Sequence, residues 1–313
     1  MQLGSSGIFG QIEDHRSRVN KLHNLKTPVL SIFATSREMT NSINKLSMNS
    51  ILLLVDLTPT AAISSDQAIY IAKYKGAKIT LCYIAKTKEE VNSEELKNAL
   101  SPYHTRLDEA GLTYETHIGV GDYKNEIPAY VKANRPDLVI VGTHGKKGLS
   151  QNIFGSHIYD LVKSISATTL VVSDLSTAKS EGFSKILLPV AAHENYLLKV
   201  QESCDLLAAD GEIIIFNILK SGADVSGHIS NNILSTKKLL QEKGIQFKIK
   251  NLGSVKFSVG YSKETVDYAI QNEVDLISIM TKVAEHSGGV ASDNDKENIL
   301  LNSTGIAVLS ANK

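Results

Sequence analysis

The sequence predicts an α/β fold: two tandem, doubly wound modules, each with a five-stranded parallel sheet in the strand order 3-2-1-4-5. Two observations lead to this prediction. Short apolar runs alternate with helical patterns over the middle of the chain, which is typical of parallel strands covered by helices on both faces. The same series of landmarks then recurs about 135 residues further on, and a sustained offset indicates a tandem duplication.

In the first repeat, apolar or alternating runs predict five strands, and Thr-Pro and glycine signals predict where the helices begin and end. The predicted strands are Ile51–Val55, Ile79–Ile84, Leu112–Ile118, Asp137–Val141 and Leu170–Val172. The predicted helices run from Pro59 to about Tyr74, from about Glu89 to Ala110, from about Lys124 to Asn134 and from Ser156 to about Ser166. Gly76 and Gly111 are the expected C-terminal stops of the first two helices.

The second repeat matches the first at four landmarks. Ile186–Val190 matches Ile51–Val55, Gly211 and Gly244 match Gly76 and Gly111, and Asn272–Leu276 matches Asn134–Leu138. We therefore expect a first module over residues 47–176 and a second over residues 177–313, with the boundary in the polar stretch 176–184.

Residues 1–46 precede both repeats. Within them, Gly4–Gly7 resembles Gly145–Gly148, and Thr27–Ile32 resembles Ala167–Val172, in closely agreeing register. This agreement favours the remnant of a further module, and a poorly ordered extension is the alternative.

Composition and charge argue against several classes of protein. The 313 residues are 42% hydrophobic and 21% charged, as in a globular chain of about two domains. Lys plus Arg equals Asp plus Glu, at 33 each, so no basic field points to nucleic acid or a membrane surface. We find no secretory signal and no apolar run near the roughly 20 residues that span a bilayer, so we expect a cytoplasmic protein. Cys82 and Cys204 lie in separate apolar segments and are expected to be buried, inert thiols.

A glycine motif follows the predicted strand Asp137–Val141. It reads Gly142-Thr-His-Gly145, then nine residues, then Gly155-Ser156 at the start of a helical pattern. Glycines allow a backbone to approach a phosphate closely, and a helix start offers unpaired N–H groups, with the serine hydroxyl as a further donor. The shorter Gly-x2-Gly pattern alone would not distinguish a phosphate site from an ordinary glycine turn. The full three-glycine spacing favours the phosphate site.

This motif resembles the nucleotide motif of the universal stress protein family, Gly-x2-Gly-x9-Gly-Ser/Thr, and the resemblance covers residues 47–176. It implies flavodoxin-like or Rossmann-like modules that bind ATP, with or without Mg²⁺, and an aspartate after the first strand, here in Val55-Asp56-Leu57. It also implies that the last strands of two modules pair edge to edge. Leu170–Val172 and Ile306–Leu309 are the candidates, either as an intramolecular pseudo-dimer or in a homodimer.

Asp56 is expected to face the same crevice as the glycines. In the order 3-2-1-4-5 the first and fourth strands are neighbours, and ligands of such sheets lie beyond the carboxyl ends where the order reverses. A carboxylate repels phosphate, so we expect Asp56 at the adenine or ribose end of the nucleotide. The alternative is an aspartate that only interacts with the dipole of the following helix.

The second module departs from this motif. Ala191, Met280 and Val283 stand where Asp56, Gly142 and Gly145 stand in the first module. We therefore expect a preserved fold, a lost site and one nucleotide per chain. Residues 287–292, Ser-Gly-Gly-Val-Ala-Ser, are similar to the pyrophosphate loop of ATP-using ligases. That loop follows a first strand and this one a fourth, so a loop over a decayed site is the preferred interpretation.

The predicted nucleotide-binding residues are Asp56, Gly142, Gly145, Gly155 and Ser156. His144 and His157 lie near the expected phosphates, although exposed histidines are the simpler interpretation, and the nine histidines show no metal spacing. No nucleophile, base and orienting group form a recognisable catalytic set. The expected function is nucleotide-dependent regulation or scaffolding in a stress response, through a protein partner that the sequence does not name. A nucleotide-free scaffold of the same fold and an ATP-hydrolysing enzyme are the alternatives.

Overall fold

The computed structural model describes residues 48–143, 157–193, 195–220, 227–254, 261–281 and 292–312. The predicted N-terminal extension, residues 1–46, lies outside these ranges. Within them the strands are β1 Ser50–Leu54, β2 Lys78–Ala85, β3 Tyr114–Val120, β4 Leu138–Thr143, β5 Thr168–Ser173, β6 Phe183–Pro189, β7 Leu207–Lys220, β8 Gln246–Ser254, β9 Leu276–Ile279 and β10 Ala307–Ser310. The helices are α1 Pro59–Lys75, α2 Lys88–Val91, α3 Glu94–Glu109, α4 Tyr123–Asn134, α5 Ile158–Ser164, α6 Tyr196–Leu206, α7 Gly227–Glu242, α8 Tyr261–Gln271 and α9 Asp293–Leu300.

The strands form one ten-stranded sheet in the order β3-β2-β1-β4-β5-β10-β9-β6-β7-β8. Each half has the predicted order 3-2-1-4-5, and neighbours within a half are parallel. The halves meet where β5 and β10 pair antiparallel, with Leu170 opposite Leu309. This confirms the predicted fold class, and the expected edge-to-edge pairing takes place within the chain.

Side chains alternate between two buried layers, one on each face of the sheet. In β1, Ile51 and Leu53 pack in the layer that contains the buried residues of α1 and α3. Leu52 and Leu54 pack in the opposite layer, with α4 and α5. Because both faces are covered, β1 is a continuous apolar run, which explains why the sequence predicts it so well.

In both halves, an aspartate just before the fourth strand accepts hydrogen bonds from the backbone at the start of the first strand. Asp137 Oδ2 accepts from Asn49 N at 2.9 Å and from Ser50 N at 3.0 Å, just before β1 and at its first residue. In the second half, Asp275 accepts from Ser184 N at 3.0 Å and from Lys185 N at 2.9 Å, near the start of β6. Two aspartates with the same partners at equivalent places support the inferred duplication.

The predicted single helix from Glu89 to Ala110 is wrong, because the chain forms two helices there. Ser93 Oγ accepts a hydrogen bond from Leu96 N at 3.1 Å and begins α3. Thr87 caps the short α2 in the same way, through Glu90 N. Two caps six residues apart therefore divide a stretch whose apolar pattern is continuous.

The strand Ile213–Ile218, which the repeat matches together with Gly211 to Gly76 and its strand, is present within β7. The two glycines differ in their roles. Gly76 does end α1, with a φ of 70°, whereas Gly211 lies inside β7. A Cβ at Gly211 would lie 2.7 Å from Leu207 Cδ1, so this glycine makes room for the side chain of Leu207. The predicted module boundary at residues 176–177 falls between β5 and β6, and the division at that point stays a prediction.

Across the described ranges, no helix is both long enough and apolar enough to cross a membrane. Cys82 is buried and Cys204 half-buried. Burial raises the pKa of each thiol to about 12, so both stay protonated at neutral pH.

Candidate functional site

The carboxyl ends of β1 and β4 lie side by side. The two strands are parallel neighbours, and Leu54 of β1 is opposite Val141 of β4. Asp56 therefore leaves the sheet at the same edge as Gly142 and Thr143. This edge is the point at which the strand order of the first half reverses, where doubly wound sheets bind ligands.

Asp56 organises the turn between β1 and α1. Its Oδ1 accepts two hydrogen bonds from Thr58, from the backbone N at 3.1 Å and from Oγ1 at 2.5 Å. Leu57 between them has a φ of 61°, a left-handed conformation that residues with a side chain seldom adopt. The helix-start role of Asp56 is therefore real. Among the described residues no donor reaches Oδ2, and the side chain is half-buried.

Gly142 is needed for the packing of α1 on β4. A Cβ at this position would lie 2.9 Å from Thr60 Cγ2 and 3.2 Å from Thr60 O. The first turn of α1 therefore packs directly against the backbone of β4, and only glycine leaves space for this contact. The other motif residues, Gly145, Gly155 and Ser156, lie outside the described residues, as does His144. His157 is the N-cap residue of α5, and its side chain is exposed.

Tyr83 and Glu90 belong to the same edge and are absent from the predicted set. Tyr83 OH donates to Glu90 Oε1 at 2.6 Å, and Lys86 N donates to Glu90 Oε2 at 2.7 Å. Burial raises the pKa of Tyr83, and the charges of Glu90 and Asp56 raise it further. The hydrogen bond from Tyr83 lowers the pKa of Glu90. Thr87-x-x-Glu90 has the capping-box spacing, which signals that Glu90 lies in the first turn of α2 but does not predict its contact with Tyr83.

At the equivalent edge of the second half, a buried lysine contacts the end of β6. Met280 directly follows β9 and is buried. Ala191 follows β6, with one residue between them. Lys199 of α6 is 1% exposed, and its Nζ donates to Pro189 O at 2.6 Å. The same Nζ lies 4.4 Å from the centre of the Tyr196 ring. Val283 lies outside the described residues.

The helix that follows β9 has its N-terminus capped by its own carboxylate. Asp295 Oδ2 accepts from Ser292 N at 3.2 Å and from Ser292 Oγ at 2.8 Å, while Asp295 N donates back to Ser292 Oγ at 3.1 Å. Asp295 Oδ1 accepts from Ser262 N at 3.2 Å. Asp293 adds a second negative charge in this first turn. A phosphate here would meet carboxylates at the helix end that normally attracts anions.

Comparison with known proteins places the first half in a family. The sequence model of the universal stress protein family matches residues 48–173. A universal stress protein of Methanocaldococcus jannaschii is 27% identical over 123 residues, which are 35% of this chain and 72% of that protein. One from Synechocystis is 28% identical over 109 residues, 35% of this chain and 71% of that protein. Residues 48–173 therefore form a domain of the universal stress protein family.

The arrangement of both halves in one sheet also has a solved counterpart. The crystal structure of a universal stress protein from Archaeoglobus fulgidus superposes with a TM-score of 0.60, at 13% sequence identity. The match covers 85% of this chain and 97% of that one, so it extends over both halves of the sheet. At this level of identity the comparison establishes a shared fold.

Proposed function

We propose that this chain is a tandem universal stress protein that binds one ATP, alone or with Mg²⁺, at the carboxyl edge of β1 and β4. The nucleotide-binding module is residues 47–176, and residues 177–313 are a module that has lost its site. Binding then controls a stress response through a partner protein. The observation that carries the proposal is the convergence of Asp56 and Gly142 at the point where the strand order reverses.

In this proposal Asp56 lies at the adenine or ribose end of the nucleotide. Its Oδ1 is engaged by Thr58, so Oδ2 is the oxygen that accepts from the ligand. Gly142 and Gly145 let the backbone after β4 approach the phosphates. Gly155 lets the backbone approach them at the start of the next helix, and the hydroxyl group of Ser156 donates a hydrogen bond. An aspartate that forms the helix turn is not placed to activate water at the terminal phosphate, so we propose binding without rapid hydrolysis.

The second module supports a count of one nucleotide per chain. Its equivalent edge holds the buried Lys199, and the helix after β9 is capped by Asp295. A nucleotide there would have to displace a lysine side chain and approach two carboxylates. The lysine side chain occupies space, and the two carboxylates reverse the charge that a phosphate requires.

Calorimetric titration with ATP, with and without Mg²⁺, tests the proposal. We expect wild-type protein to bind one ATP, and Ser156→Ala to raise the Kd about tenfold or more through the loss of a hydrogen bond to a charged group. Gly155→Val should abolish binding. Gly253→Val is the matched control, because a Cβ at Gly253 would meet nothing within 4 Å.

A wild-type chain that gives no binding heat with ATP would refute the proposal and favour the nucleotide-free scaffold. Equal affinities for the wild type and for both motif variants would refute the site. A phosphate-release assay on the same samples separates binding from turnover, and sustained release would favour the enzyme.

A further inference from the structure

Helix α5 of the first module is held by the second module. Asp293, the first residue of α9, accepts two hydrogen bonds from it. Lys163 Nζ donates to Asp293 Oδ2 at 2.6 Å, and Tyr159 OH donates to Asp293 Oδ1 at 3.2 Å. Residues four apart lie on one face of a helix, so a single carboxylate engages one side of α5 over a full turn.

A second, buried contact reaches the same helix. Asn312 is 3% exposed, and its Nδ2 donates to Val162 O at 2.8 Å. Its Oδ1 accepts from Thr281 Oγ1 at 2.8 Å and from Ser310 Oγ at 3.2 Å. The amide is therefore fixed by the ends of β9 and β10 before it reaches α5, so this contact is rigid as well as dry.

The charges at the α5–α9 contact favour the clamped arrangement. The hydrogen bond from Lys163 lowers the pKa of Asp293, and Lys296 Nζ, 4.0 Å from Asp293 Oδ1, contributes in the same direction. Burial raises the pKa of Tyr159, and the charge of Asp293 raises it further. At neutral pH Asp293 is therefore an anion that accepts from the Lys163 side chain and from a protonated phenol.

Helix α5 connects this clamp to the edge where the nucleotide is proposed to bind. Its buried residues Ile158 and Val162 pack in the same layer as Leu54 and Val141, the last paired residues of β1 and β4. Interiors are close-packed, so a displacement of α5 is passed on to those strand ends. It would also move the chain that enters α5 from the glycine motif.

We infer that Asp293 and Asn312 are positioning residues by which the second module raises the affinity of the first module for its nucleotide. The inference rests on the proposed function, since it concerns the same site. The second module then has a role that needs no ligand of its own. In helix α9, the carboxylate of Asp295 caps the first turn of the same helix. The carboxylate of Asp293 binds Lys163 of the first module.

A double-mutant cycle on Asp293 and Lys163 tests this inference. We expect Asp293→Ala and Lys163→Met each to raise the Kd for ATP about three- to tenfold, as expected for a partly exposed pair coupled to a site. The double variant should be no weaker than either single variant, and Asp293→Glu should restore affinity. Asp267→Ala removes another exposed Lys–Asp pair, with Lys263 on α8, and is the matched control.

Hydrogen exchange of the α5 amides, measured without nucleotide, provides a readout that does not depend on binding. Asp293→Ala should speed exchange over residues 158–164, and Asp267→Ala should not. If the wild type binds ATP and the Asp293 and Lys163 variants bind equally well, the inference is overturned while the proposed function stands. If the wild type binds no ATP, the proposed function fails, and exchange still shows whether the clamp holds α5.

Discussion

Replacing Lys199 with methionine should stabilise this protein at neutral pH. The lysine is 1% exposed, and the contacts of its Nζ are the carbonyl of Pro189 at 2.6 Å and the face of the Tyr196 ring at 4.4 Å. Methionine is unbranched and of similar length, so it fills the same space. It carries no ammonium group, which is expensive to remove from water.

The size of the effect follows from the pKa. Burial lowers the pKa of Lys199 from 10.5 to about 7 in the folded protein. Each unit is about 1.4 kcal/mol, so the ionisable group costs about 4 kcal/mol of stability at pH 7. Loss of the hydrogen bond to Pro189 O offsets about 1–2 kcal/mol of this gain. We therefore expect a net stabilisation of about 2–3 kcal/mol at pH 7.

The pH dependence is the sharper signature. Between the folded pKa of about 7 and the unfolded value of 10.5, the unfolded chain binds more protons at this lysine. Wild-type stability therefore rises with pH in this window and is lost again as the pH falls towards 7. The advantage of Lys199→Met should shrink by about 2 kcal/mol between pH 7 and pH 9, and should be constant and largest in mild acid.

Urea unfolding at pH 6, 7, 8 and 9 measures this difference. The chain has no tryptophan, so far-ultraviolet circular dichroism is the suitable signal. Lys132→Met is the matched control, because Lys132 is an exposed lysine in the last turn of α4. Parallel pH profiles for the wild type and Lys199→Met would refute the argument that a desolvated ammonium lies in this core.

Two glycine positions give further predictions. Gly142→Val should destabilise the chain by about 1–3 kcal/mol, since its side chain would collide with Thr60. This would appear as a lower urea midpoint, and an unchanged midpoint would contradict the close packing of α1 on β4. Gly305→Ala should cost about 1–3 kcal/mol, because Gly305 has a φ of 82° and its Cβ would lie 2.5 Å from Leu175 O. Gly227→Ala, where a Cβ meets nothing within 4 Å, should leave the midpoint unchanged.

The predicted strands lie close to the observed ones because the sheet is covered on both faces. The run Ile51–Val55 corresponds to β1, Ser50–Leu54, one residue earlier. The break between α2 and α3 is harder to predict. It depends on whether Ser93 accepts a hydrogen bond as an N-cap or lies within a helix, and both fit the same apolar pattern.

The candidate site could be predicted only in part. Strand order alone places Asp56 and Gly142 at one edge, because the carboxyl ends of parallel neighbours coincide. The contact between Gly142 and Thr60 depends on how closely a helix packs on a strand, which spacing does not reveal. A lysine on a helix normally indicates an exposed face, so the burial of Lys199 was beyond the reach of sequence patterns.

The antiparallel pairing of β5 with β10 has a consequence for how the protein behaves on dilution. Both strands belong to one chain, and residues 174–182 connect the two halves of the sheet. Their encounter is therefore intramolecular, at an effective concentration on the order of millimolar whatever the amount of protein present. Modules on separate chains would part as the protein becomes scarce. A single copy of this chain therefore already contains both paired modules.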